Sequence, residues 1–228
     1  MTKKTWITIL ILGCFQLVAQ NKDSLHVNFK INFDKFPLVL HENYITSKKD
    51  SISISTFKCY ISNLEIVYAD KTVSKEKNSY HLLDINNPNS CHIPITKISD
   101  KIISKVSFAI GIDSLTNTSG AMAGDLDPIN GMYWAWQSGY INMKIEGKSP
   151  SCHTKKNEFQ FHIGGYMQPN YAMRKKVITV NGIGDITIAI DVAKLLSEID
   201  LKNTNSVMIP GKVAMDLADI STKMFYLE

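Results

Sequence analysis

The residues with the greatest potential for chemistry lie between positions 131 and 165, in the segments GMYWAWQSGYINMKIEG and NEFQFHIGG. The first segment contains Trp134 and Trp136, and the second contains His162 directly before two glycines. An imidazole with thioether and aromatic neighbours suits copper. The alternative interpretation is a hydrogen-bonded histidine at a strand end and two tryptophans packed in a core.

Enzyme motifs are missing from the sequence. It contains no G-x-S-x-G, no H-E-x-x-H, no phosphate-binding loop and no pair of carboxylates at an interpretable spacing. The sequence therefore predicts a binding protein rather than an enzyme.

A second possible metal site lies just before the tryptophans, in the segment DLDPING. Asp125, Asp127 and Asn130 offer the carboxylate and amide oxygens that calcium prefers, on a tight turn before Gly131. The later bidentate glutamate of an EF-hand is missing. The alternative is a proline-containing turn capped by acidic side chains.

The cysteines offer a disulfide or a further metal site. Cys59 lies in a strand-like run and is expected to be a small buried residue. Cys91 and Cys152 lie in polar loops, each followed by a histidine. We expect a disulfide between these two in an oxidising compartment; the alternative is a Cys/His metal site that also uses His92 and His153.

Period-two alternation predicts three short strands around the tryptophans and His162. The residues sharing one face of each strand would be Met132, Trp134 and Trp136; Ile141, Met143 and Ile145; and Phe159, Phe161 and Ile163. His162 falls on the opposite face from the phenylalanines. Because Gly164 and Gly165 can end or bulge the strand, we expect His162 to be accessible.

The whole sequence predicts an all-β protein, an antiparallel β-sandwich or barrel with one short helix near the C-terminal third. About ten strands are expected, including residues 52–68, 102–112, 176–180 and 185–190. The helix is predicted over residues 191–199, with Asp191 as its cap. A strand or a short helix over residues 213–225 would finish the chain.

The N-terminus predicts export. Residues 1–20 combine two lysines with an apolar run, as in a signal peptide, and leave residues 21–228 as a single domain. A lipid anchor at Cys14 is the alternative to simple cleavage. No later stretch is long enough to span a membrane, and the basic residues are too scattered to indicate nucleic-acid binding. We expect a periplasmic or secreted protein.

Several segments together resemble the MbnP-like family of exported bacterial proteins. They are YISNLEIV, YHLLD, GIDS, DLDPINGMYWAWQSGYINMKIEG and FHIGGY, in this order behind the leader, and the resemblance covers about residues 25–225. Its best-known members are periplasmic copper-binding proteins linked to methanobactin operons.

This resemblance implies a β-rich copper binder with a di-haem partner related to cytochrome c peroxidases, which oxidises a tryptophan of the binder to kynurenine. Related copper proteins hold Cu(I) with histidines and that kynurenine. The matching positions here are His162 with Trp134 or Trp136, and His26 and His81 are candidates for a second imidazole ligand. Two other hypotheses are an interaction module that docks a partner through residues 113–130, and a calcium-stabilised structural domain.

Overall fold

A computed structural model describes residues 24–97 and 100–228 of the chain. The predicted signal peptide, with Cys14, lies outside these residues. The strands are β1 Ser24–Phe33, β2 Phe36–Pro37, β3 Asn43–Ile45, β4 Ser51–Tyr68, β5 Val73–Lys75, β6 Tyr80–Asp84, β7 His92–Lys97, β8 Ile103–Ile110, β9 Tyr133–Trp134, β10 Gly139–Lys148, β11 Glu158–Gly164, β12 Arg174–Gly182, β13 Ile186–Asp191, β14 Ser206–Val207 and β15 Phe225–Leu227. The helices are α1 Ser114–Thr118, α2 Val192–Leu196 and α3 Lys212–Ser221.

The larger sheet is organised around β4, which is 18 residues long. Its strand order is β12-β8-β4-β10-β11-β14; β3, β5 and β6 also pair with β4, and β9 pairs with β10. Almost all of these pairs are antiparallel, but the short edge strand β14 runs parallel to β11. This sheet contains His162 and the β9–β10 hairpin, on which Trp134 and Trp136 lie.

The smaller sheet has the order β15-β13-β1-β2, with β7 also paired to β1. β1 and β13 run parallel, from Val27 opposite Ile186 to Asn32 opposite Asp191. Consequently β12 and β13, which are adjacent in the sequence, belong to different sheets. The predicted mostly-β sandwich is confirmed, with mixed rather than purely antiparallel sheets.

The main core lies between the two sheets and the C-terminal helices. Phe108 on the larger sheet contacts Phe29 of β1 and Phe225 of β15, with ring centroids 5.7 and 5.5 Å apart and edge-to-face geometry. A second, smaller cluster covers the other face of the larger sheet; its buried members are Tyr60, Leu82, Ile112, Leu126, Met132, Trp134, Tyr140 and Ile141. Residues 112–141 fold over that face and bury it.

The predicted short helix is present, and the described residues contain α1 and α3 besides it. The predicted helix is confirmed as α2, where the Asp191 carboxylate accepts a hydrogen bond from the Ala193 amide at 3.1 Å. The longest helix is α3, which covers most of residues 213–225, where the sequence predicts either a strand or a short helix. Its buried side is made largely of small residues, Ala214, Ala218 and Ser221, so its apolar stripe is weak in the sequence. No helix among the described residues has the length and apolar character needed to cross a membrane.

Candidate functional site

His162 lies on the face of β11 opposite to the main core. Its neighbours Phe161 and Ile163 point into that core, so alternation directs His162 to the side covered by residues 112–141. The predicted face is therefore right, but the predicted accessibility is wrong, since His162 is 6% exposed. Its Nε2 lies 2.7 Å from Glu146 Oε1 on the adjacent β10.

The Glu146 carboxylate fixes the orientation of the His162 ring. Glu146 also accepts a hydrogen bond from Thr56 Oγ1 at 3.0 Å, so β4, β10 and β11 all contribute to this network. Burial alone would raise the pKa of Glu146, but the hydrogen bond from His162 and the charge of Lys144 outweigh it and leave this pKa below its ordinary value. An ionised carboxylate can only accept, so Nε2 of His162 carries the proton.

Burial lowers the pKa of His162, and the nearby Lys144 lowers it further, against the opposing effect of Glu146. The neutral imidazole is therefore the favoured form at neutral pH. With the proton on Nε2, the lone pair resides on Nδ1. Within the described part of the chain, Nδ1 has no hydrogen-bond partner, and it is not among the fully enclosed polar atoms.

Two lysines hold the turn before the tryptophans over the same face. Lys58 Nζ donates to the carbonyl of Asn130 at 3.0 Å and forms a 2.9 Å ion pair with Asp84. Lys144 Nζ donates to the carbonyl of Gly131 at 3.4 Å and lies 3.6 Å from Glu146 Oε1. The turn that leads into β9 is thus anchored beside the His162–Glu146 pair.

Trp134 packs over Gly164, two residues from His162 on β11. A Cβ atom at position 164 would lie 2.7 and 2.8 Å from Cζ3 and Cη2 of Trp134, so the indole occupies the space of a side chain there. Residues 162 and 164 share a face of β11, and their side-chain positions are therefore neighbours. Trp134 is 5% exposed, and its buried Nε1 has no hydrogen-bond partner in the described structure.

Trp136 does not share a strand face with Trp134, contrary to the prediction. β9 ends at Trp134, and the chain turns through Ser138, which has a φ of 53°, so that Gly139 pairs with Trp134. Trp136 sits on this turn, 62% exposed, with its ring centroid 5.8 Å from that of Trp134. It lines a surface cavity of about 350 Å³.

The predicted alternation of β10 is wrong at one point, because a β-bulge interrupts it. The register shifts between Ile141 and Met143, so these residues face opposite sides of the sheet. The intervening Asn142 is buried and accepts a hydrogen bond from the Ile112 amide at 3.0 Å. It packs against Gly111, where a Cβ would lie 2.3 Å away.

The structure does not bring the other candidate histidines to His162. His81 points to the opposite face of β6 from Leu82, which belongs to the second, smaller cluster. The Nε2 atom of His81 lies 2.8 Å from Glu76 Oε2. His26 lies on β1 of the smaller sheet, beside Asp185. Across residues 24–97 and 100–228, no group of three or more His, Cys, Asp or Glu side chains is arranged to hold a metal ion.

The predicted Cys91–Cys152 disulfide is wrong, since both residues are buried free thiols, as is Cys59. Cys91 ends the turn before β7, in the smaller sheet, whereas Cys152 lies in the β10–β11 connection of the larger sheet. Burial raises the pKa of Cys152 to about 11. The alternative Cys/His metal site does not form among the described residues either.

The candidate calcium residues hold the turn together. Asp125 Oδ2 accepts from the Leu82 amide at 2.8 Å, and Asp127 Oδ1 accepts from the Ile129 amide at 2.9 Å. Asn130 Nδ2 donates to the carbonyls of Gly124 and Asp125, at 3.0 Å each. This is the capped proline-containing turn that the sequence offered as the alternative.

The fold resembles that of a solved protein. MbnP from Methylosinus trichosporium has 14% sequence identity, a TM-score of 0.55 and 82% coverage of each chain, so the two share a mostly-β two-sheet architecture. Comparison with curated proteins gives no match. The sequence profile of the MbnP family matches residues 22–209, and the chain belongs to this family. The resemblance seen in the sequence is thereby confirmed, and membership relates the chain to methanobactin-associated proteins.

Sequence reasoning missed Glu146 as the partner of His162. The available signal was that both residues alternate with apolar neighbours on strands joined by one short loop, which makes a cross-strand contact possible. Glu146 is not directly opposite His162, however, because the residue opposite is Lys144. Only the register of β10 and β11 reveals the pair.

Proposed function

We propose that this chain is an exported copper-binding protein in which His162 is a copper ligand. The observation that carries the proposal is the His162–Glu146 pair, together with the membership of the MbnP family. Metal-binding histidines commonly donate their second ring N–H to a carboxylate, which fixes the tautomer and makes the ring a better ligand. Glu146 would have this role, and Nδ1 would bind the ion.

The residues around His162 fit part of a copper site. One neutral imidazole and the neighbouring indole lie on the same face, and the indole Nε1 is buried without a partner. Conversion of Trp134 to kynurenine would replace that indole by a carbonyl and an aromatic amine, which can act as donors. We therefore assign Trp134, rather than the exposed Trp136, as the tryptophan modified beside His162. Copper would supply a soft Lewis acid at this position.

The second imidazole is not provided by His26 or His81, which lie elsewhere in the fold. The proposed site therefore has one histidine from this chain, and its remaining donors would come from modified Trp134 and from ligands outside the described side chains. Formation of the kynurenine breaks the C2–C3 bond of the indole, adds one oxygen atom to each of these carbons and releases C2 as formate on hydrolysis. We propose that a di-haem cytochrome c peroxidase-like partner carries out this oxidation with hydrogen peroxide or O₂ as the oxidant. The proposal makes the chain a binder and a substrate of modification, not an enzyme.

Copper titration of three matched variants tests the His162 assignment. We expect His162→Ala to abolish stoichiometric Cu(I) binding and Glu146→Gln to weaken it about 10- to 100-fold, because glutamine keeps the shape but removes the charge behind the ring. His153→Ala, at an exposed position on the β10–β11 loop, is the control and should bind like wild type. Equal affinity of wild type and His162→Ala would refute the assignment.

Export is the second part of the proposal. Cleavage near residue 20 predicts a mature N-terminus close to Gln20 or Asn21 in protein recovered from the periplasm or medium. N-terminal sequencing tests this directly. A lipidated N-terminal Cys14 would favour the anchored alternative, and an intact N-terminus in a cytoplasmic fraction would contradict export.

A second candidate function is an interaction module, favoured by exposed apolar side chains on the long connection over residues 113–130. Leu115 on α1 is 77% exposed, Ile129 is 87% exposed, and Met122 between them is also exposed. Large apolar side chains in this arrangement suit a protein contact. Replacement of Leu115 and Ile129 by serine should then abolish capture of the haem partner while copper affinity stays unchanged.

The calcium-stabilised domain has less support, because the side chains of Asp125, Asp127 and Asn130 bond to the backbone of the turn and its neighbour. It predicts a melting temperature that Ca²⁺ raises in wild type and equally in His162→Ala.

A further inference from the structure

Two histidines lie on neighbouring strands of the smaller sheet, away from His162, and both face outward. In β1, Leu25, Val27 and Phe29 point into the main core, so His26 and Asn28 point outward. β7 runs antiparallel to β1, with His92 opposite Asn28 and Pro94 opposite His26. His26 and His92 are therefore diagonal neighbours across two paired strands.

Diagonal neighbours in an antiparallel pair are about 7–8 Å apart and within reach of long or aromatic side chains. Both histidines keep solvent contact: His92 is exposed, and the side chain of His26 is 29% exposed. His92 and Pro94 also border a polar cavity of about 360 Å³. An ion can thus approach His92 through this cavity, and His26 through its own exposed surface.

The ring nitrogens of these histidines have different surroundings. His92 Nδ1 lies 2.9 Å from Asn28 Oδ1, and an amide oxygen can only accept, so Nδ1 is the protonated nitrogen and Nε2 keeps its lone pair. The backbone amide of His26 donates to Asp185 Oδ1 at 3.0 Å, and the ring Nδ1 lies 3.6 Å from the same oxygen. In the described structure, neither Nε2 atom has a hydrogen-bond partner.

We propose that His26 and His92 together bind one divalent transition-metal cation, Cu²⁺, Ni²⁺ or Zn²⁺, through their Nε2 atoms. Imidazole suits these ions, and their affinity for nitrogen sites exceeds that of Mn²⁺ or Ca²⁺. Because no group of three ligating side chains is found among residues 24–97 and 100–228, water would complete the coordination. Asn28 would hold the ring of His92, as outer partners do in metal sites. The proposal does not depend on copper binding at His162.

A cation at this position would join β1 to β7 and bind only the folded chain, since the two histidines are 66 positions apart in sequence. It would therefore raise the melting temperature. At a metal concentration about 100-fold above Kd, the expected rise is roughly 5–10 °C for a protein of this size.

The test is the melting temperature of the full chain with and without ZnCl₂, in wild type and in His26→Gln, His92→Gln, His153→Gln and His162→Gln. We expect the zinc-dependent rise in wild type and in the last two variants, and its loss in each of the first two, because a chelate needs both rings. Melting in the absence of metal shows that each variant is folded.

Retention of the full rise in His26→Gln or His92→Gln would overturn the proposal, as would its absence in wild type. A rise lost only in His162→Gln would assign the zinc effect to the site on β11 instead. Cu(I) titration under reducing conditions tests that other site separately, so failure of one proposal is distinguishable from failure of the other.

Discussion

Replacement of Gly164 by alanine would test the contact that places Trp134 beside His162. The added Cβ would lie 2.7 and 2.8 Å from two carbons of the indole and 2.9 Å from the carbonyl oxygen of Tyr140. Real carbon contacts are not this short, so the indole or the backbone must shift. Overpacking of this kind costs about 1–3 kcal/mol in a well-packed cluster.

The assay is urea unfolding of wild type and Gly164→Ala, followed by tryptophan fluorescence and by circular dichroism. We expect the free energy of unfolding to fall by about 1–3 kcal/mol. The control is Gly182→Ala on β12, where a Cβ meets nothing within 4 Å. That variant should remain within about 0.5 kcal/mol of wild type or gain slightly in stability.

A double-mutant cycle with Trp134→Leu separates the indole contact from the backbone contact. Leucine is too short to reach the position of Cζ3 and Cη2, so Gly164→Ala should cost less in this background by about 1 kcal/mol or more. A residual cost from the Tyr140 carbonyl is expected. An equal cost of Gly164→Ala in both backgrounds would refute the placement of Trp134 over residue 164.

Three further predictions concern stability and thiol chemistry. Because burial lowers the pKa of His162 in the folded state, the unfolded chain takes up a proton first as pH falls below about 6.5, and the free energy of unfolding decreases until the folded pKa is reached. Urea titrations from about pH 7.5 to about pH 5 should show this slope reduced in His162→Gln, and identical slopes would contradict the burial of a neutral ring. Alkylation of the urea-unfolded chain without reductant should modify both Cys91 and Cys152, whereas a peptide pair linked by a disulfide would contradict the free thiols. Asp191→Ala removes a carboxylate that accepts two backbone hydrogen bonds, so it should lower the free energy of unfolding by about 1–2 kcal/mol. The control, Asp216→Ala at an exposed position, should lower it by less than about 0.5 kcal/mol. Equal losses in the two variants would refute the capping role of Asp191.

Local pattern predicted much of the fold. Alternation in the sequence located β4, β8, β10 and β11, and it placed His162 on the correct face of its strand. The cap Asp191 and the helix after it followed from standard N-cap chemistry. These features depend on neighbours within a few residues, which the sequence displays directly.

The errors come from interactions that local pattern does not contain. Alternation continues through Trp136 and predicts a strand there, but the chain turns at Ser138, two residues later. The glycines after His162 predict an accessible side chain, but residues 112–141 cover that face and Glu146 accepts a hydrogen bond from the His162 Nε2 atom. The pairing of β1 with both β7 and β13 joins distant parts of the chain, and no spacing in the sequence indicates it.

Peptide mass spectrometry and metal analysis of one sample, recovered from the native host, would test whether copper is bound beside a modified tryptophan. We expect about one copper per chain and a fragment-ion series that locates the change from tryptophan to kynurenine at Trp134 and not at Trp136. Copper-free protein in which both tryptophans are unmodified would contradict the proposed copper site.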